Sequence, residues 1–519
     1  MRHTLLHYSL LALFAVGLTS CATAPPNTNR TASHAFTKSE TASTSLARAA
    51  KRKVTKNGSS GESGVRLLVS GQDAFLARME LTEKAQKGID LQYYIWNKDL
   101  TGRLFTNQLL KAADRGVRVR LLVDDMVLID RDEGGAILDS HPNIELRIFN
   151  PFSRSSSRAL QMLAQLRTIT RRMHNKSFTV DGHVSILGGR NVGDEYFGAN
   201  DELDYGDLDA LVVGPAVKEM ESSFDQYWNS AFAYPITTLH KKMPDEADLN
   251  KGRKELSELL STPEANLYRK ALASSHLAQD LEEGGLEFEW AQARIIGDAP
   301  EKIGSSRSAT ELHLTTKLKP YFDKTKKELV IISPYFVSGK KGTAYLCDLA
   351  QRGIKVRILT NSLASTDVTP VHAGYRKYRK DLIAAGVELF EVDYATKKAG
   401  GRDVKWLGGS SKTSLHAKSF VFDRQQAFIG SYNLDPRSAY ENTEVGIVVA
   451  SPVIANELAS IFDKRLKKAV YRLELEKGKL RWHHFENGEA KIYSKDPHTT
   501  FFQRLTPRLM GLLPIEWLL

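Results

Sequence analysis

Two short frames of polar residues recur in this chain, and their residue types suit chemistry at phosphorus. The first frame contains His174, Lys176 and Asp181. The second repeats this spacing 242 positions later (416 − 174) and contains His416, Lys418 and Asp423. Because side chains two residues apart on a strand point to the same face, each lysine can neutralise a phosphate oxygen while its histidine reaches the phosphorus atom.

An asparagine follows each frame at the same distance, behind a glycine-containing segment. The two segments are Gly188-Gly189-Arg190-Asn191 and Gly430-Ser431-Tyr432-Asn433. Glycine lets the backbone approach a ligand closely, and the amide of Asn191 or Asn433 can donate to another phosphate oxygen. One such set could equally serve hydrogen bonding within a core, whereas two matched copies favour a functional site.

The elements that must position these frames also occur twice. In the first half, a strand at residues 89–95, a helix at 104–113 and a strand at 117–123 follow one another. The second half repeats this order at residues 329–336, 345–350 and 354–359. The glycine turn Arg115-Gly116 reappears as Arg352-Gly353, 237 positions later (352 − 115). Strand, helix and strand in this order form a right-handed crossover, so we predict an α/β fold with a largely parallel sheet and outer helices.

The repeat divides the chain into segments. We predict a first lobe at residues 65–239, a charged helical connector at 240–285 and a second lobe at 286–470. Residues 471–519 form a C-terminal extension whose apolar tail, from Phe501 onwards, is interrupted by two prolines and is too short to span a bilayer. This tail could lie in a membrane interface or dock onto the protein's own surface.

The N-terminus predicts export and lipid attachment. A short basic start and an apolar run of 13 residues, Leu5–Gly17, have the length of a signal-peptide core, so residues 1–20 read as a leader. Leu18-Thr19-Ser20-Cys21 resembles the bacterial lipoprotein processing box, which implies lipidation of Cys21, although an unlipidated signal peptide stays open. Ala22 follows the cysteine, which favours the outer membrane facing the periplasm, with the inner membrane as the alternative.

Composition narrows the class of protein. The 519 residues contain 72 Lys and Arg against 61 Asp and Glu, a formal net charge of +11, and only two cysteines, which excludes a disulfide scaffold. Residues 21–64 are rich in Thr, Ser and Ala and read as a disordered tether. They carry a net +5 (7 − 2), which suits either a solvating spacer or attraction to anionic lipid.

The paired frames resemble the phospholipase D superfamily, whose signature is His-x-Lys-x4-Asp twice per active site. The resemblance covers nearly all of residues 65–519. Leu91–Trp96 and Ala112–Val117 resemble the bacterial cardiolipin synthase branch, and Val123–Met126 and Asp298–Lys302 are similar to its C-type members. The resemblance implies two pseudo-symmetric α-β-α sandwich lobes with mixed sheets, and one active site between them within a single chain.

The resemblance also implies a double displacement without a cofactor. His174 is the expected nucleophile and His416 the general acid and base, although pseudo-symmetry allows the reverse. The phosphate would be held by Lys176, Lys418, Asn191 and Asn433. Gly189 stands where the second copy has Ser431, so if the family's serine binds phosphate, only Ser431 does so here. No Asp, Glu and His cluster requires a metal.

A reacting histidine needs a carboxylate that fixes its tautomer. We expect Asp207 to do this for His174 and Glu444 for His416. Asp209 lies on the same strand face as Asp207 and is the alternative. Asp181 and Asp423 belong to the motif, but their positions at strand ends favour a structural role, bonding to neighbouring backbone or to the opposite lobe.

Several other residues are candidates for substrate contacts. His372 and Tyr375 follow a strand end, and the resemblance suggests that they form the acceptor side; capping of a helix is the alternative. Asp124 and Asp125 occupy the corresponding position of the first half. Basic residues near the motifs could meet lipid or nucleic-acid phosphates and do not discriminate between them: Arg167, Arg171, Arg172 and Lys377–Lys380.

Four functions remain open at the level of sequence. The first is phosphatidyl transfer onto a second phospholipid, making cardiolipin from phosphatidylglycerol with a further phosphatidylglycerol or phosphatidylethanolamine. The second is hydrolysis of phospholipids to phosphatidic acid, and the third is a nuclease. A lipid-binding lipoprotein with a decayed site is disfavoured because both histidines, lysines and asparagines are intact. We expect membrane phospholipids as partners, with no obligatory nucleic acid.

Overall fold

A computed structural model of the protein describes residues 26–27, 30–59, 61–126, 132–155, 170–200, 203–240, 243–282, 285–393, 412–466, 470–486 and 489–512. The predicted leader, Cys21 and Arg167 therefore lie outside the described residues, as does the end of the apolar tail. Within the described part of the chain, no helix combines the length and apolarity needed to cross a bilayer.

The segment before the first lobe is folded, so the prediction of a disordered tether is wrong over residues 30–57. It contains α1 (Lys38–Thr41) and α2 (Ser45–Asn57). Thr44 caps α2 by accepting from the Ala47 amide. Leu46, Ala47 and Ala50 are buried on one face of this helix, and Lys53 Nζ donates to the Leu286 carbonyl at 2.8 Å. Three apolar residues on one helix face, together with the Lys53 hydrogen bond, thus attach α2 to the body, which composition alone does not reveal.

The first lobe alternates strands with helices. Its strands are β1 (Ser63–Leu68), β2 (Gly88–Tyr93), β3 (Arg118–Asp124), β4 (Ile144–Phe149), β5 (Ser177–Val180), β6 (Val184–Gly188), β7 (Leu203–Gly206), β8 (Asp209–Val213) and β9 (Ala233–Pro235). Its helices are α3 (Gly71–Lys84), α4 (Leu100–Asp114), α5 (Asp132–Asp139), α6 (Asp194–Phe197), α7 (Pro215–Trp228) and α8 (Ile236–Leu239). The connector that follows contains α9 (Glu246–Leu260), α10 (Pro263–Ala273) and α11 (His276–Glu282).

The second lobe repeats this order. Its strands are β10 (Glu289–Gly297), β11 (Glu328–Ile332), β12 (Lys355–Asn361), β13 (Glu388–Val392), β14 (Lys412–Leu415), β15 (Lys418–Phe422), β16 (Gln426–Gly430) and β17 (Val445–Ala450). Its helices are α12 (Leu314–Lys324), α13 (Gly339–Gln351), α14 (Thr369–Tyr375), α15 (Arg379–Ala384), α16 (Pro436–Tyr440) and α17 (Pro452–Leu466). The C-terminal extension adds β18 (Val470–Glu476), β19 (Lys479–Glu486), β20 (Glu489–Tyr493) and α18 (Phe501–Met510).

The strands confirm the predicted α/β class with two similar halves and mixed sheets. Among the described residues, the parallel strand pairs are β2–β3 and β3–β4 in the first lobe, β11–β12 and β12–β13 in the second, and β7–β14 between the lobes. The prediction of a largely parallel sheet is therefore wrong, because strands such as β5, β6 and β8 return antiparallel to their neighbours. The first motif strand, β5, lies antiparallel to β2, and β15 lies antiparallel to β11 in the same way. The two lobes join where β1 pairs with β10, which makes one sheet of 18 strands.

Apolar burial holds the two halves together as well as each half separately. One core lies beneath β2, β3 and β5 of the first lobe, and another beneath β11, β12 and β15 of the second. A third cluster contains side chains of both lobes, including Leu187 and Val212 with Ile429 and Ile447. Because these side chains lose contact with water only when both lobes are present, the hydrophobic effect fixes the relative position of the lobes.

Candidate active site

The chain segment that carries His174 pairs with the second lobe. The His174 amide donates to the Thr443 carbonyl at 2.9 Å, and the Thr443 amide donates to the Arg172 carbonyl at 2.9 Å. This short ladder places Glu444, the next residue, beside the first histidine. His174 Nδ1 lies 2.8 Å from Glu444 Oε2, and both residues are buried.

The second histidine is placed by the equivalent ladder in the opposite direction. Strand β14 runs parallel to β7, and the His416 amide donates to the Gly206 carbonyl at 2.8 Å. His416 Nδ1 then lies 2.5 Å from Asp207 Oδ2. The acids predicted for the two histidines are therefore present but exchanged, because each acid follows a strand that pairs across the lobe interface rather than within its own lobe.

Asp209, the alternative to Asp207, has a different role. Its carboxylate lies 2.9 Å from Arg78 Nη2 and 3.5 Å from Arg190 Nη1, and all three side chains are buried. Arg190 also donates to the Asp207 carbonyl at 2.7 Å. The Asp209 carboxylate is thus satisfied by two arginines within the first lobe and orients no histidine.

Glu444 is held by two serines and by its own backbone. Ser431 Oγ donates to Glu444 Oε2 at 2.5 Å, and Ser438 Oγ donates to Glu444 Oε1 at 2.8 Å. The Glu444 amide donates to Asp298 Oδ2 at 2.7 Å, and Asp298 is paired with Lys302 at 2.9 Å. Ser431, predicted to bind phosphate, instead positions the glutamate.

In the first lobe, the acid that orients a histidine, Asp207, is held in place without a serine. Asp207 Oδ1 accepts from the Leu208 amide at 2.7 Å. A Cβ atom on Gly189 would lie only 2.1 Å from Asp207 Oδ1, so glycine is required where the second lobe has Ser431. At equivalent positions of the two lobes, the space beside the carboxylate is therefore left open by Gly189 for Asp207 and is occupied by the hydroxyl of Ser431 for Glu444.

Both lysines of the motifs are buried at the same site. Lys176 Nζ donates to the His174 carbonyl at 2.6 Å, and Lys418 Nζ donates to the His416 carbonyl. Burial lowers the pKa of Lys418 to about 8 and lowers the pKa of Lys176 well below its ordinary value. The two lysine side chains bring N–H donors to one buried site, where they can bind the oxygens of an anion.

The two histidine–acid pairs are electrostatically different. Burial and the charges of Lys176 and Lys418 hold the pKa of His174 well below its ordinary value, so this imidazole is neutral. Burial raises the pKa of Glu444 to about 7. Burial acts in the same direction on Asp207, but His416 and Lys418 outweigh it, so the pKa of Asp207 is lowered and its carboxylate is ionised.

The two asparagines differ in what they offer a ligand. Asn191 Oδ1 accepts from the Ile95 amide at 3.2 Å, and Asn191 Nδ2 donates to the Tyr196 hydroxyl at 2.9 Å. Asn433 is buried, and its side-chain oxygen has no hydrogen-bond partner among the described residues. The unused Oδ1 of Asn433 is an acceptor, so a phosphate oxygen would have to be bound by an Nδ2 group of Asn433 or Asn191.

Comparison with known proteins agrees with this geometry. A family model described as cardiolipin synthase, PLD-like domain, matches residues 79–228 and 318–466, more than half of the chain and one match in each lobe. The chain belongs to this family. Cardiolipin synthase C of Escherichia coli is 39% identical over 88% of this chain and 97% of its own length. A cardiolipin synthase of Oceanobacillus iheyensis is 26% identical over 78% of this chain and 69% of its own length.

A solved structure supports the fold. The phosphatidylserine synthase of Haemophilus influenzae superposes with a TM-score of 0.56, at 14% identity, over 91% of this chain and 99% of that one. The predicted membership of the phospholipase D-like superfamily, and within it of the cardiolipin synthase branch, is confirmed.

The motif aspartates of this cardiolipin synthase family member contact neither histidine. Asp181 accepts from the amides of Gln86, Lys87 and Gly88, where β2 begins. Asp423 accepts in the same way from the amides of residues 326–328, where β11 begins. Both have φ near +50°, the left-handed region that aspartate tolerates. They hold neighbouring backbone, one of the two structural roles that their positions favoured.

Four tyrosines around the histidines were not identified from the sequence. Tyr94 lies 5.0 Å from the His174 ring, and Tyr196 and Tyr205 lie 5.2 and 5.1 Å from the His416 ring. Tyr335 is 6.5 Å from His416. The hydroxyls of Tyr205 and Tyr335 donate to Asp367 at 3.3 and 2.7 Å. Tyr94 directly follows β2 and Tyr335 lies three residues after β11, and this shared position after equivalent strands is the signal that could have revealed them.

Most of the remaining candidate residues contact neighbouring protein groups and neither of the two motif histidines. Asp124 accepts from the Met173 amide at 2.8 Å and pairs with Arg172 at 3.3 Å, which fixes the chain before His174. Arg171 pairs with Glu441 at 2.7 Å, and Asp125 pairs with Arg154 at 2.5 Å.

His372 and Tyr375 lie buried in α14. They contact the C-terminal extension and α15: His372 Nε2 is 3.7 Å from Asp496, and Tyr375 stacks with Arg379. Across the described residues, no group of three or more His, Cys, Asp and Glu side chains is arranged to hold a metal ion.

Proposed function

We propose that the protein is a phosphatidyltransferase that makes cardiolipin. It would take a phosphatidyl group from phosphatidylglycerol or phosphatidylethanolamine and transfer it to the headgroup hydroxyl of a second phosphatidylglycerol. One observation carries this proposal: two buried histidines, each oriented by an acid of the opposite lobe, flank two lysines in a chain that is 39% identical to a cardiolipin synthase C.

In the first step, a neutral nucleophile and a proton donor act on opposite sides of phosphorus. Glu444 accepts from Nδ1–H of His174, which leaves the lone pair on Nε2 for attack. A phosphorus–nitrogen bond forms, the bond from phosphorus to the leaving headgroup oxygen breaks, and His416 gives its Nε2 proton to that oxygen. Burial and the charge of Lys418 lower the pKa of His416, and the ionised Asp207 opposes them, which favours the imidazolium form that makes this transfer.

In the second step, the same groups act in reverse. His416 accepts the proton of the incoming hydroxyl, whose oxygen bonds to phosphorus, and the phosphorus–nitrogen bond to His174 breaks. Lys176, Lys418 and the amide of Asn433 hold the non-bridging oxygens, where negative charge increases in the transition state. Only 7% of His174 and 5% of His416 is exposed, which favours a lipid hydroxyl over bulk water as the acceptor.

The test is an assay on defined lipids. Purified protein is incubated with phosphatidylglycerol, with and without phosphatidylethanolamine, and the products are separated. We expect cardiolipin, and we expect it to be lost in His174→Ala and His416→Ala but kept in His276→Ala, a substitution of an exposed histidine on α11. Phosphatidic acid as the sole product would establish hydrolysis instead, and cleaved DNA with unchanged lipid would establish a nuclease.

We also propose that Cys21 anchors the protein in the outer membrane, facing the periplasm. The sequence before Cys21 supports lipidation, and α2 adds exposed basic side chains that suit an anionic lipid surface, among them Arg48, Lys51 and Arg52. Cys21→Ser should abolish labelling by a palmitate probe. Labelling that persists in this variant, or cofractionation of the wild type with the inner membrane, would contradict the proposal.

A further inference from the structure

The last described helix has an unusual surface. Four of the ten large hydrophobic side chains that are most exposed in the described part of the chain lie within residues 501–512. They are Phe501, Phe502, Leu509 and Leu512, with 62, 75, 56 and 81% of their surface exposed. Thr500 and Gln503 form a capping box that starts α18, so this helix has a defined beginning.

The opposite face of α18 is fixed to the second lobe. Pro507 is buried, and the helix packs against α14. The chain just before α18 is held by Asp496, whose carboxylate lies 3.2 Å from Arg379 Nη1 and 3.7 Å from His372 Nε2. The apolar side chains therefore project from a helix whose position is set by buried ion pairs.

The helix that α18 covers lies next to the catalytic residues. Strand β12 ends at Asn361, and α14 begins two residues after Asp367. Asp367 accepts from the hydroxyls of Tyr335 and Tyr205, whose rings flank His416. A continuous series of contacts thus connects α18, through α14 and Asp367, to the His416 side of the site.

The charges around this apolar face are positive. Helix α18 contains Arg504 and Arg508 and no acidic residue. Lys377, two residues after the end of α14, is exposed, and its Cε atom lies 3.7 Å from the position of a Cβ on Gly511. Exposed aromatic and aliphatic side chains bordered by basic residues match the surface of an anionic bilayer, with acyl chains below and phosphates above.

We propose that α18 inserts its exposed apolar face into the surface of a phospholipid bilayer and so presents the His416 side of the site to the lipid. The binding itself does not depend on the reaction product; only the identity of the lipid as substrate rests on the proposed function. Phe501 and Phe502 enter the interface, and Arg508 and Lys377 meet phosphate groups.

A site-specific label tests this insertion separately from the lipid anchor. The full chain carries Cys21→Ser and Cys347→Ser, with one new cysteine, Phe502→Cys or Leu267→Cys, labelled with an environment-sensitive fluorophore. Leu267 is the matched control, because it is 71% exposed but lies on α10 of the connector. Vesicles contain equal parts of phosphatidylglycerol and phosphatidylethanolamine, with or without brominated acyl chains.

We expect the label at residue 502 to shift to the blue and to be quenched by brominated lipid, while the label at 267 keeps its spectrum in water. The same result in a His174→Ala background would show that insertion does not require catalysis. An unchanged label at 502, or equal changes at both positions, would overturn the proposal. If insertion occurs but the wild type makes no cardiolipin, the proposed function fails and this inference stands.

A functional variant gives a second measurement. Phe501→Ser with Phe502→Ser should lower activity on vesicles about tenfold or more, while activity on lipid dispersed in detergent stays near the wild-type value. Leu267→Ser with Val453→Ser removes two exposed apolar residues far apart in the chain. This control should change neither the activity on vesicles nor the activity in detergent. Equal losses in vesicles and detergent would show that α18 acts on the fold and not on the membrane.

Discussion

At the residue scale, each histidine is oriented by a different carboxylate, His174 by Glu444 and His416 by Asp207. Glu444→Gln should impair attack by His174, and Asp207→Asn should impair proton transfer by His416, each by roughly 10²- to 10⁴-fold because the histidine loses its tautomer. A phosphodiester substrate with a p-nitrophenol leaving group distinguishes the two substitutions, because p-nitrophenolate leaves without a proton and so does not need proton transfer from His416. Asp207→Asn should keep the burst of p-nitrophenol, and Glu444→Gln should lose it. The opposite pattern would show that the two histidines have exchanged roles.

Gly189 is a second residue whose effect follows from one distance. In Gly189→Ala, the new methyl group meets the Asp207 carboxylate, which must move away from His416. We expect a loss of activity of at least about a hundredfold, measured as cardiolipin formed per minute, with the protein still folded. Gly134→Ala on α5 is the control, because nothing lies within 4 Å of its Cβ position. Equal activity of the two variants would mean that Asp207 is not confined as described.

The acid limb of the pH profile should report Glu444. This carboxylate must be ionised to accept from His174, its pKa is raised by burial to about 7, and the hydrogen bond from Ser431 opposes that rise. Ser431→Ala removes the opposing contact, so the limb of kcat/KM should move to higher pH, with activity reduced at pH 7 and largely regained above it. Ser185→Ala on β6, whose hydroxyl pairs with Thr179, should leave the limb in place.

At the scale of elements, the attachment of the C-terminal extension depends on Asp496. Burial acts to raise the pKa of Asp496, but His372 and Arg379 outweigh it and hold the pKa below its ordinary value. The folded pKa is depressed, so the stabilisation is present above about pH 4 and is lost as the pH falls further. Asp496→Asn should lower the free energy of unfolding by about 3 kcal/mol at pH 7 because it leaves Arg379 with less compensation in a buried position.

Urea unfolding at pH 7 and at pH 3.5 measures this effect, and the difference from the wild type should shrink at the lower pH. Asp348→Asn removes an exposed pair with Arg352 and should cost no more than about 0.5 kcal/mol. A similar loss in both variants would contradict a special role of the buried pair.

Elements were predictable where their hydrophobic pattern was strong. The strand, helix and strand of each repeat follow from their apolar periods and glycine turns. Because these elements and the motifs both occur twice, the motifs could be identified as a functional site. Helix α2 was missed because its buried apolar face consists of only three residues, Leu46, Ala47 and Ala50, within a segment of polar composition. The exchange of Asp207 and Glu444 could not be derived, since one chain spacing is compatible with pairing within a lobe or across the interface, and only the ladders of Thr443 and Gly206 decide between them.

At the scale of the whole molecule, all catalytic groups belong to one chain, so a monomer should be sufficient. Mixing purified His174→Ala with His416→Ala should give no more cardiolipin than either variant alone. Each molecule lacks one histidine, and no site is formed from residues of two molecules. Recovery of activity on mixing, followed in the same lipid assay, would require sites shared between chains.

The exchanged carboxylates also constrain how activity arises during synthesis. His174 is translated 270 residues before Glu444, so the first lobe can complete its own core while its histidine still has no orienting acid. The second lobe, likewise, has no carboxylate for His416 until β7 is in place. A chain whose lobes have not docked therefore has no oriented histidine and should be inactive, so activity should arise only once both lobes are folded and in contact.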